Sequence, residues 1–384
     1  MRVLSRTVLK NTLKMILWSP VGFIVVGCFN ETTWFADNNN DAASALSDNN
    51  KPQHWKMVTA WPKDFPVVGT GANYFAETLT ELSGGRIKVT VYGAGELGSG
   101  LEVLDLVTSG VAELGHSASF YWRGKVNALQ VFGAMPYGMT ANEMNAWLYH
   151  GTGLKLWQEL YATMNIVPFP AGQTGVQMGG WFNKEINTLT DIEGLRMRIP
   201  GLGGEVFAKM GGIPVVLPAG EIFSSLTTGT LDAAEWSGPA NDLPQGFHKA
   251  AEYYYYPGWQ EPTTTVELII NREIFSALPA DLKSIITYTA QAANMSMMAE
   301  YTYKNITGLT HILTERSDIK IRPFPNDVIE HSHEMSQQVI AALNANDAAF
   351  SKIYLDYNQF LINVATWSEF SERAYLEARS EVIQ

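Results

Sequence analysis

Thiols are almost missing from these 384 residues, with Cys28 the single cysteine. A lone cysteine forms no intrachain disulfide and no thiolate cluster, so the fold rests on apolar burial. Histidine is sparse too: there are seven, scattered, and only His331 and His333 lie close together. On a helix a spacing of two turns them apart, which favours a solvated face over a metal site. His-Glu-x-x-His, Gly-x-Ser-x-Gly and P-loop patterns are all missing, so the common hydrolase and nucleotide chemistries lack their residues. Charge is low, at 17% of residues, and unequal, with 26 basic against 38 acidic groups. The apolar stretch from about Met15 to Val26 contains Pro20 and falls short of the roughly 20 residues that span a bilayer.

What precedes that stretch is basic: Arg2, Arg6, Lys10 and Lys14, with no acid. This order predicts an export signal over 1–27. Val25-Val26-Gly27-Cys28 resembles a bacterial lipobox, which makes Cys28 the acylated first residue of the mature chain; an ordinary cleaved signal is the alternative. Without residues 1–27 the count becomes 22 basic against 38 acidic, a net charge of about −16. Such a surface opposes nucleic acid and anionic membranes as partners. Residues 28–53 are rich in Asn, Asp, Ala and Ser without hydrophobic period, and are expected to be a flexible tether.

Folding is expected to start near Trp55. A strand over Trp55–Trp61 precedes a helix over Gly71–Ser83, with Phe75, Leu79 and Leu82 on one face and Gly84-Gly85 as its stop. Ile87, Val89 and Val91 alternate with Arg86, Lys88 and Thr90 as in a half-buried strand. A helix over Leu101–Ser109, a strand over Val111–Gly115, helices over Ala141–Met164 and strands over Ile166–Ala171 and Val176–Phe182 follow. Pro279 opens a helix with Leu282, Ile285, Ile286, Ala293 and Met297 on one face. After a strand near Ile319–Phe324, helices run to the end. The repeated strand-helix order predicts an α/β protein with mostly parallel sheets, and about 330 residues suit two lobes better than one core. No internal repeat is present.

Gly93-Ala94-Gly95-Glu96-Leu97-Gly98 matches the dinucleotide-binding spacing after a strand, but Glu96 would repel a pyrophosphate, so it reads as a turn. Leu195 to Pro200 alternates Met197 and Ile199 with Arg196 and Arg198 ahead of a glycine loop, Gly201 to Gly204. Arg198 thus ends a strand where open α/β sheets bind ligands, and its planar fork suits a carboxylate; a surface ion pair is the competing reading. Glu235 sits where a buried strand gives way to a loop, as a paired acid or a ligand. Trp236 and Tyr253–Tyr256 read as core.

The segment order from Trp55 past Phe324, the phrase Gly194 to Gly201 and the later Gly229 to Trp236 resemble the extracytoplasmic solute receptors of tripartite ATP-independent periplasmic (TRAP) transporters. Gly201 to Val206 and Tyr255 to Trp259 resemble the branch that binds 2-oxo and 2-hydroxy monocarboxylates such as pyruvate and lactate. The resemblance implies a two-lobed, periplasmic-binding-protein-like α/β fold with a ligand cleft between lobes, a long spine helix and extra C-terminal helices. Its lobes are expected at 54–170 with 238–268, and at 171–237 with 269–325, and its C-terminal extension at 326–384. The resemblance implies that Arg198 clamps the ligand carboxylate, that Gln177 contacts ligand and cation, and that Ser119, Phe120 and Tyr121 line the first-lobe wall. It assigns Glu235 and the Trp236 carbonyl to the cation, with Glu261, or else Gln260, as the further ligand.

Two acids beside an anionic ligand repel it by several kcal/mol at reduced dielectric, and one arginine does not offset that. A hard cation resolves the conflict; if both acids coordinate, calcium is favoured over sodium. The implied partners are a small organic acid anion and TRAP membrane subunits, with a lipid anchor at Cys28 and a homodimer allowed through the C-terminal helices. Nothing is catalysed in this reading. The rivals are a ligand-sensing lipoprotein of the same fold, an exported metal-dependent lyase or hydrolase using Glu235 or Glu261 as base, and a glycan-binding lipoprotein.

Overall fold

The structure, a computed structural model, describes residues 52–383. The signal, Cys28 and nearly all of the expected tether lie outside the described residues. Among the described residues eleven strands form two sheets. In chain order they are β1 (Gln53–Thr59), β2 (Ile87–Tyr92), β3 (Leu114–Ala118), β4 (Ile166–Gln173), β5 (Gly180–Phe182), β6 (Arg196–Arg198), β7 (Ile213–Val215), β8 (Ala233–Ala234), β9 (Tyr253–Tyr256), β10 (Thr265–Asn271) and β11 (Lys320–Pro323). The first sheet has the order β2-β1-β3-β10-β4 and the second β11-β9-β5-β8-β6-β7.

Local pattern accounts for much of this. Val68–Leu82 is a helix whose Phe75 and Leu79 are buried; Leu82, expected on the same face, is its last residue and is exposed. Thr140 and Glu143 form a capping box that starts the helix Ala141–His150, satisfying amides that have no partner inside the helix. The strand expected over Val111–Gly115 lies further on as β3, and only Gly180–Phe182 of the expected Val176–Phe182 is strand, with Val176 exposed. Gln53, expected in the tether, opens β1.

The sheets are mixed rather than mostly parallel. β10 runs antiparallel to both β3 and β4, and β5 antiparallel to β8 and β9. The cause is connectivity: β4 passes into the second sheet, and β9 returns to the first, without a helical crossover, which parallel neighbours require. This also divides the segment 238–268 expected in the first lobe, because β9 pairs in the second sheet and β10 in the first. Of 269–325, expected in the second lobe, Ile269–Asn271 belongs to the first sheet and the helix Ala280–Glu315 packs on elements of both lobes. The C-terminal helices Asn326–Asn346, Ala348–Phe370 and Glu372–Ile383 complete the chain. The first packs on the second-lobe helix Gly201–Lys209, and the next on first-lobe helices Ala141–His150 and Gly153–Ala162. Its Asp356 accepts from the indole of buried Trp147 at 2.8 Å.

Candidate functional site

The two crossing segments, 174–179 and 257–264, run side by side. Gly258 N donates to Gln177 O at 3.0 Å, Gln177 N to Glu261 O at 3.3 Å and Thr174 N to Thr264 O at 3.2 Å. Gly258 is required here because a Cβ would lie 2.4 Å from Gln177 O. The pairing brings Gln177 and Glu261 together: Gln177 Nε2 donates to Glu261 Oε2 at 2.8 Å and Thr264 Oγ1 at 2.9 Å. Since the carboxylate only accepts when ionised, it fixes the orientation of the amide. Gln177 Oε1 is then buried without a partner.

From the second lobe comes Arg198 at the end of β6. Met197 and Ile199 point into the hydrophobic core, so period-two alternation turns Arg198 to the other face. It is 2% exposed. Its Nη1 donates to Glu235 O at 2.8 Å and to Glu235 Oε1 at 2.6 Å, its Nη2 to Tyr121 Oη at 3.4 Å, and its guanidinium carbon lies 4.8 Å from the Trp236 ring centroid. Arg198 Nε and Glu235 Oε2 have no partner. Arg196, by contrast, makes the surface ion pair, with Asp232 at 2.9 Å. The expected glycine loop after Pro200 is instead the start of the helix Gly201–Lys209. Its glycines give close approach: a Cβ on Gly203 would lie 2.8 Å from the Gln260 side chain, and one on Gly204 2.5 Å from Ile199 O.

The first lobe contributes the turn Ser119–Trp122 at the end of β3. Phe120 and Tyr121 line the cavity; Ser119 is buried just behind them, its Oγ unpartnered. Trp122 Nε1 and Tyr161 Oη donate to the buried Glu267 carboxyl at 2.8 and 2.5 Å, holding the turn from beneath. The cavity is small, about 30 Å³, well below the roughly 300–1,000 Å³ typical of drug-sized ligand pockets. Trp236 does both: it packs against the hydrophobic cluster that contains Trp181 and Tyr254, and it walls the cavity, because β8 ends two residues earlier and releases its ring beneath the guanidinium. Gln260 faces away, donating to Met178 O at 3.0 Å, so Glu261 and not Gln260 enters the cavity. Thr174, Thr264 and Tyr301 also line it. Hydroxyl groups on such residues carry no sequence signal of their own, and Tyr301 sits in the apolar pattern of the long helix.

Burial pushes the Glu235 carboxyl well above the usual range; nearby Glu261 adds to this and Arg198 opposes it. Burial likewise raises Glu261, against hydrogen bonds from Thr264 and Gln177 and the charge of Arg198. Asp242, behind Ser237, is raised to about 6 by burial although Trp181, Tyr254 and two backbone amides donate to it. One arginine thus faces several buried carboxyls. The buried, partnerless Gln177 Oε1 and Glu235 Oε2, beside the Glu261 carboxylate, form a mixed oxygen set that fits a hard cation. Among the described residues no three His, Cys, Asp or Glu side chains cluster. The Gly93–Gly98 loop closes on itself, with Gly93 N donating to Glu96 Oε2 at 2.6 Å. The first glycine amide is therefore taken by the loop's own acid, as the turn reading requires. His116 is buried and pushed down to about 3 by burial, its Nδ1 accepting from Trp61 at 3.1 Å.

Two α/β lobes joined by crossing strands, with a small cavity at the crossing that Arg198, Gln177 and Glu261 line, define a solute-binding protein of the periplasmic type. The chain belongs to the bacterial extracellular solute-binding proteins, family 7, whose family model matches residues 57–347. It is 41% identical over 323 residues to the monocarboxylate 2-oxoacid-binding periplasmic protein of Nostoc sp., covering 84% of this chain and 87% of that one. Among solved structures it resembles a TRAP periplasmic solute-binding protein of Pseudoalteromonas atlantica with bound sodium and pyruvate. That match has 41% identity, a TM-score of 0.83 and coverage of 85% and 99% of the two chains. A counterpart from Colwellia psychrerythraea, with bound calcium and pyruvate, is 38% identical with a TM-score of 0.83 and coverage of 85% and 100%. Family and relatives are binding proteins of transport systems, and no helix among the described residues is long and apolar enough to cross a membrane.

Proposed function

We propose that this chain captures a small 2-oxo or 2-hydroxy monocarboxylate, pyruvate-like or lactate-like, together with a cation, and presents it unconverted to TRAP membrane subunits. The observation that carries this reading is Arg198, buried at the cavity with Nε unpaired, beside buried oxygen acceptors that also lack partners. Arg198 orients the ligand carboxylate through its planar fork, Tyr121 and Phe120 close the first-lobe side, and Gln177 bridges ligand and cation. Glu235, Glu261, Gln177 and the Trp236 carbonyl would hold the cation, which supplies the positive charge that lets an anion sit beside two carboxylates. Two acids in the set favour calcium over sodium. Thr174 and Thr264 keep Gln177 and Glu261 in place.

The same reading tethers the domain through a lipid on Cys28 and pairs it as a homodimer. Supporting the tether are the basic start and the Val25-Val26-Gly27-Cys28 run. Calorimetry with pyruvate, lactate and longer 2-oxo acids, with and without a chelator, tests the function. Stoichiometric, chelator-sensitive binding without turnover is expected; consumption of the acid, or binding of oligosaccharides alone, would overturn it.

A further inference from the structure

Val67, a buried β-branched residue, has φ +67° and ψ −65°. Across it Val68 N donates to Pro66 O at 2.9 Å. The three residues form a γ-turn of positive φ, which is rare, and strained for any side chain and most of all for a branched one. The turn opens the helix Val68–Leu82 and sets Val68 on the cavity wall. Such a conformation persists only where its surroundings over-determine it, and it is found at ligand clamps and switch regions.

Among the described residues, the hydrogen bond that reaches this first-lobe turn from elsewhere in the chain comes from the second lobe. Asn241 Nδ2 donates to Pro66 O at 2.6 Å. Asn241 lies on the helix Pro239–Gln245, whose Asp242 accepts from Trp181 of β5 at 3.0 Å and from Tyr254 of β9 at 2.8 Å. That helix is therefore fixed to the second sheet. The Asn241 side chain is buried and its orientation is set: Ser237 Oγ and Tyr301 Oη donate to Oδ1 at 2.9 and 2.5 Å, which leaves Nδ2 for a carbonyl. Ser237 and Tyr301 both line the cavity. Beside the turn, Phe65 meets Trp236 edge-on with 6.5 Å between ring centroids. One asparagine thus joins two residues of the cavity wall to a strained turn on the opposite lobe.

We propose that Asn241 is a positioning residue for the captured acid: it draws Pro66-Val67-Val68 into the strained turn as the lobes meet, and the turn relaxes when they part. The proposal rests on the capture of a small monocarboxylate in this cavity, and adds that closing strains Val67. When the lobes separate, Asn241 and Trp236 leave with the second lobe and the Pro66 carbonyl passes to water. Nothing from the second lobe then holds Val67 at positive φ. The strain biases the empty protein towards the open form, so ligand contacts made by both lobes must supply the difference.

The test uses the full chain and calorimetry with pyruvate. Asn241→Asp keeps an acceptor for Ser237 and Tyr301 but turns an oxygen towards Pro66 O, and Kd is expected to rise at least tenfold. Val67→Ala keeps the Cβ and the strain, whereas Val67→Gly removes both, and the two lose nearly the same packing. Val67→Gly is expected to bind at least about fivefold more tightly than Val67→Ala. Strain present in the open and closed forms alike would instead raise the melting temperature of Val67→Gly above that of Val67→Ala and leave their Kd values equal. That result overturns the proposal, as does an Asn241→Asp protein that folds and binds within about threefold of wild type. Single-molecule energy transfer between dyes on Lys88→Cys and Lys209→Cys, in a Cys28→Ser background, reads the lobes without any acid. The closed fraction of the ligand-free protein should be about fivefold larger with Val67→Gly than with Val67→Ala, and equal fractions overturn the proposal. Should wild type bind none of the acids, the receptor reading falls, and the dye comparison still decides the role of Val67.

Discussion

Arg198→Lys separates the charge of the clamp from its shape. In the structure the guanidinium uses Nη1 on Glu235, aims Nη2 at Tyr121 and lies 4.8 Å from the Trp236 ring centroid, leaving Nε unpaired. A lysine ammonium keeps the positive charge beside Glu235 but serves ligand and glutamate from one point. One charge-assisted hydrogen bond to the ligand is lost, about 1.5–3 kcal/mol. Weaker stacking on Trp236 adds about 0.5–1 kcal/mol. Together they amount to about 2–4 kcal/mol, a rise in Kd of roughly 30-fold to 1,000-fold. Folding should suffer less than in Arg198→Ala, which strands the buried Glu235 carboxylate and costs about 3–5 kcal/mol. Calorimetry gives Kd for pyruvate, and urea unfolding of the ligand-free protein gives the stability difference. A lysine variant binding within about threefold of wild type would remove Arg198 from the clamp.

Glu235→Gln removes one of two acids from the cation set, so binding should weaken at least tenfold and lose much of its sensitivity to chelator; unchanged sensitivity would make Glu235 structural. Gly258→Ala places a Cβ 2.4 Å from the Gln177 carbonyl, where only backbone can yield. A loss of about 1–3 kcal/mol of stability and weaker binding are expected, and unaltered melting and affinity would mean the crossing is slack. Glu267, raised by burial from 4.5 to about 7, carries a pH dependence. Its folded value exceeds its unfolded one, so its stabilisation is complete below about pH 4.5 and disappears as pH rises through about 7. That is about 3 kcal/mol between pH 4 and pH 8. Urea unfolding across this range should be flatter for Glu267→Gln than for wild type, and equal slopes would refute the assignment.

Wherever one local rule decides the outcome, the fold was legible in the chain. Alternation at Ile87, Val89 and Val91 gave β2, and Pro279 ahead of an apolar period gave the long helix. Arg198 was legible because its neighbours Met197 and Ile199 are apolar and the strand period separates them from it. Sheet direction was not, since β10 takes its orientation from the crossing between lobes and not from its own residues. Nor was the glycine-led helix after Pro200, whose purpose is close approach to Gln260, a contact 57 residues away in sequence. Glu261 over Gln260 was left open by the sequence and separated by the backbone, which turns adjacent side chains to opposite sides. The hydroxyls of Thr174 and Thr264 and the ion pair of Arg123 with Glu205 belong to contacts that exist only once distant segments meet.

That ion pair bears on what holds the lobes together. Arg123 follows the first-lobe turn and Glu205 lies on the second-lobe helix Gly201–Lys209, with Nη1 3.0 Å from Oε1. Both side chains are about one-third exposed, at 34% and 32%. A pair so wetted contributes about 0–1 kcal/mol and is screened by salt. Arg123→Ala should therefore raise Kd by no more than about fivefold. The alternative, a latch that stores the closed state, requires a loss well beyond tenfold in the same titration. If the small effect is found, the contacts at the mouth do not by themselves select closure. The preference must then come from Arg198 of one lobe, Tyr121 of the other and the crossing residues between them acting on a shared ligand, because a ligand shifts the equilibrium only by its differential affinity for the two states.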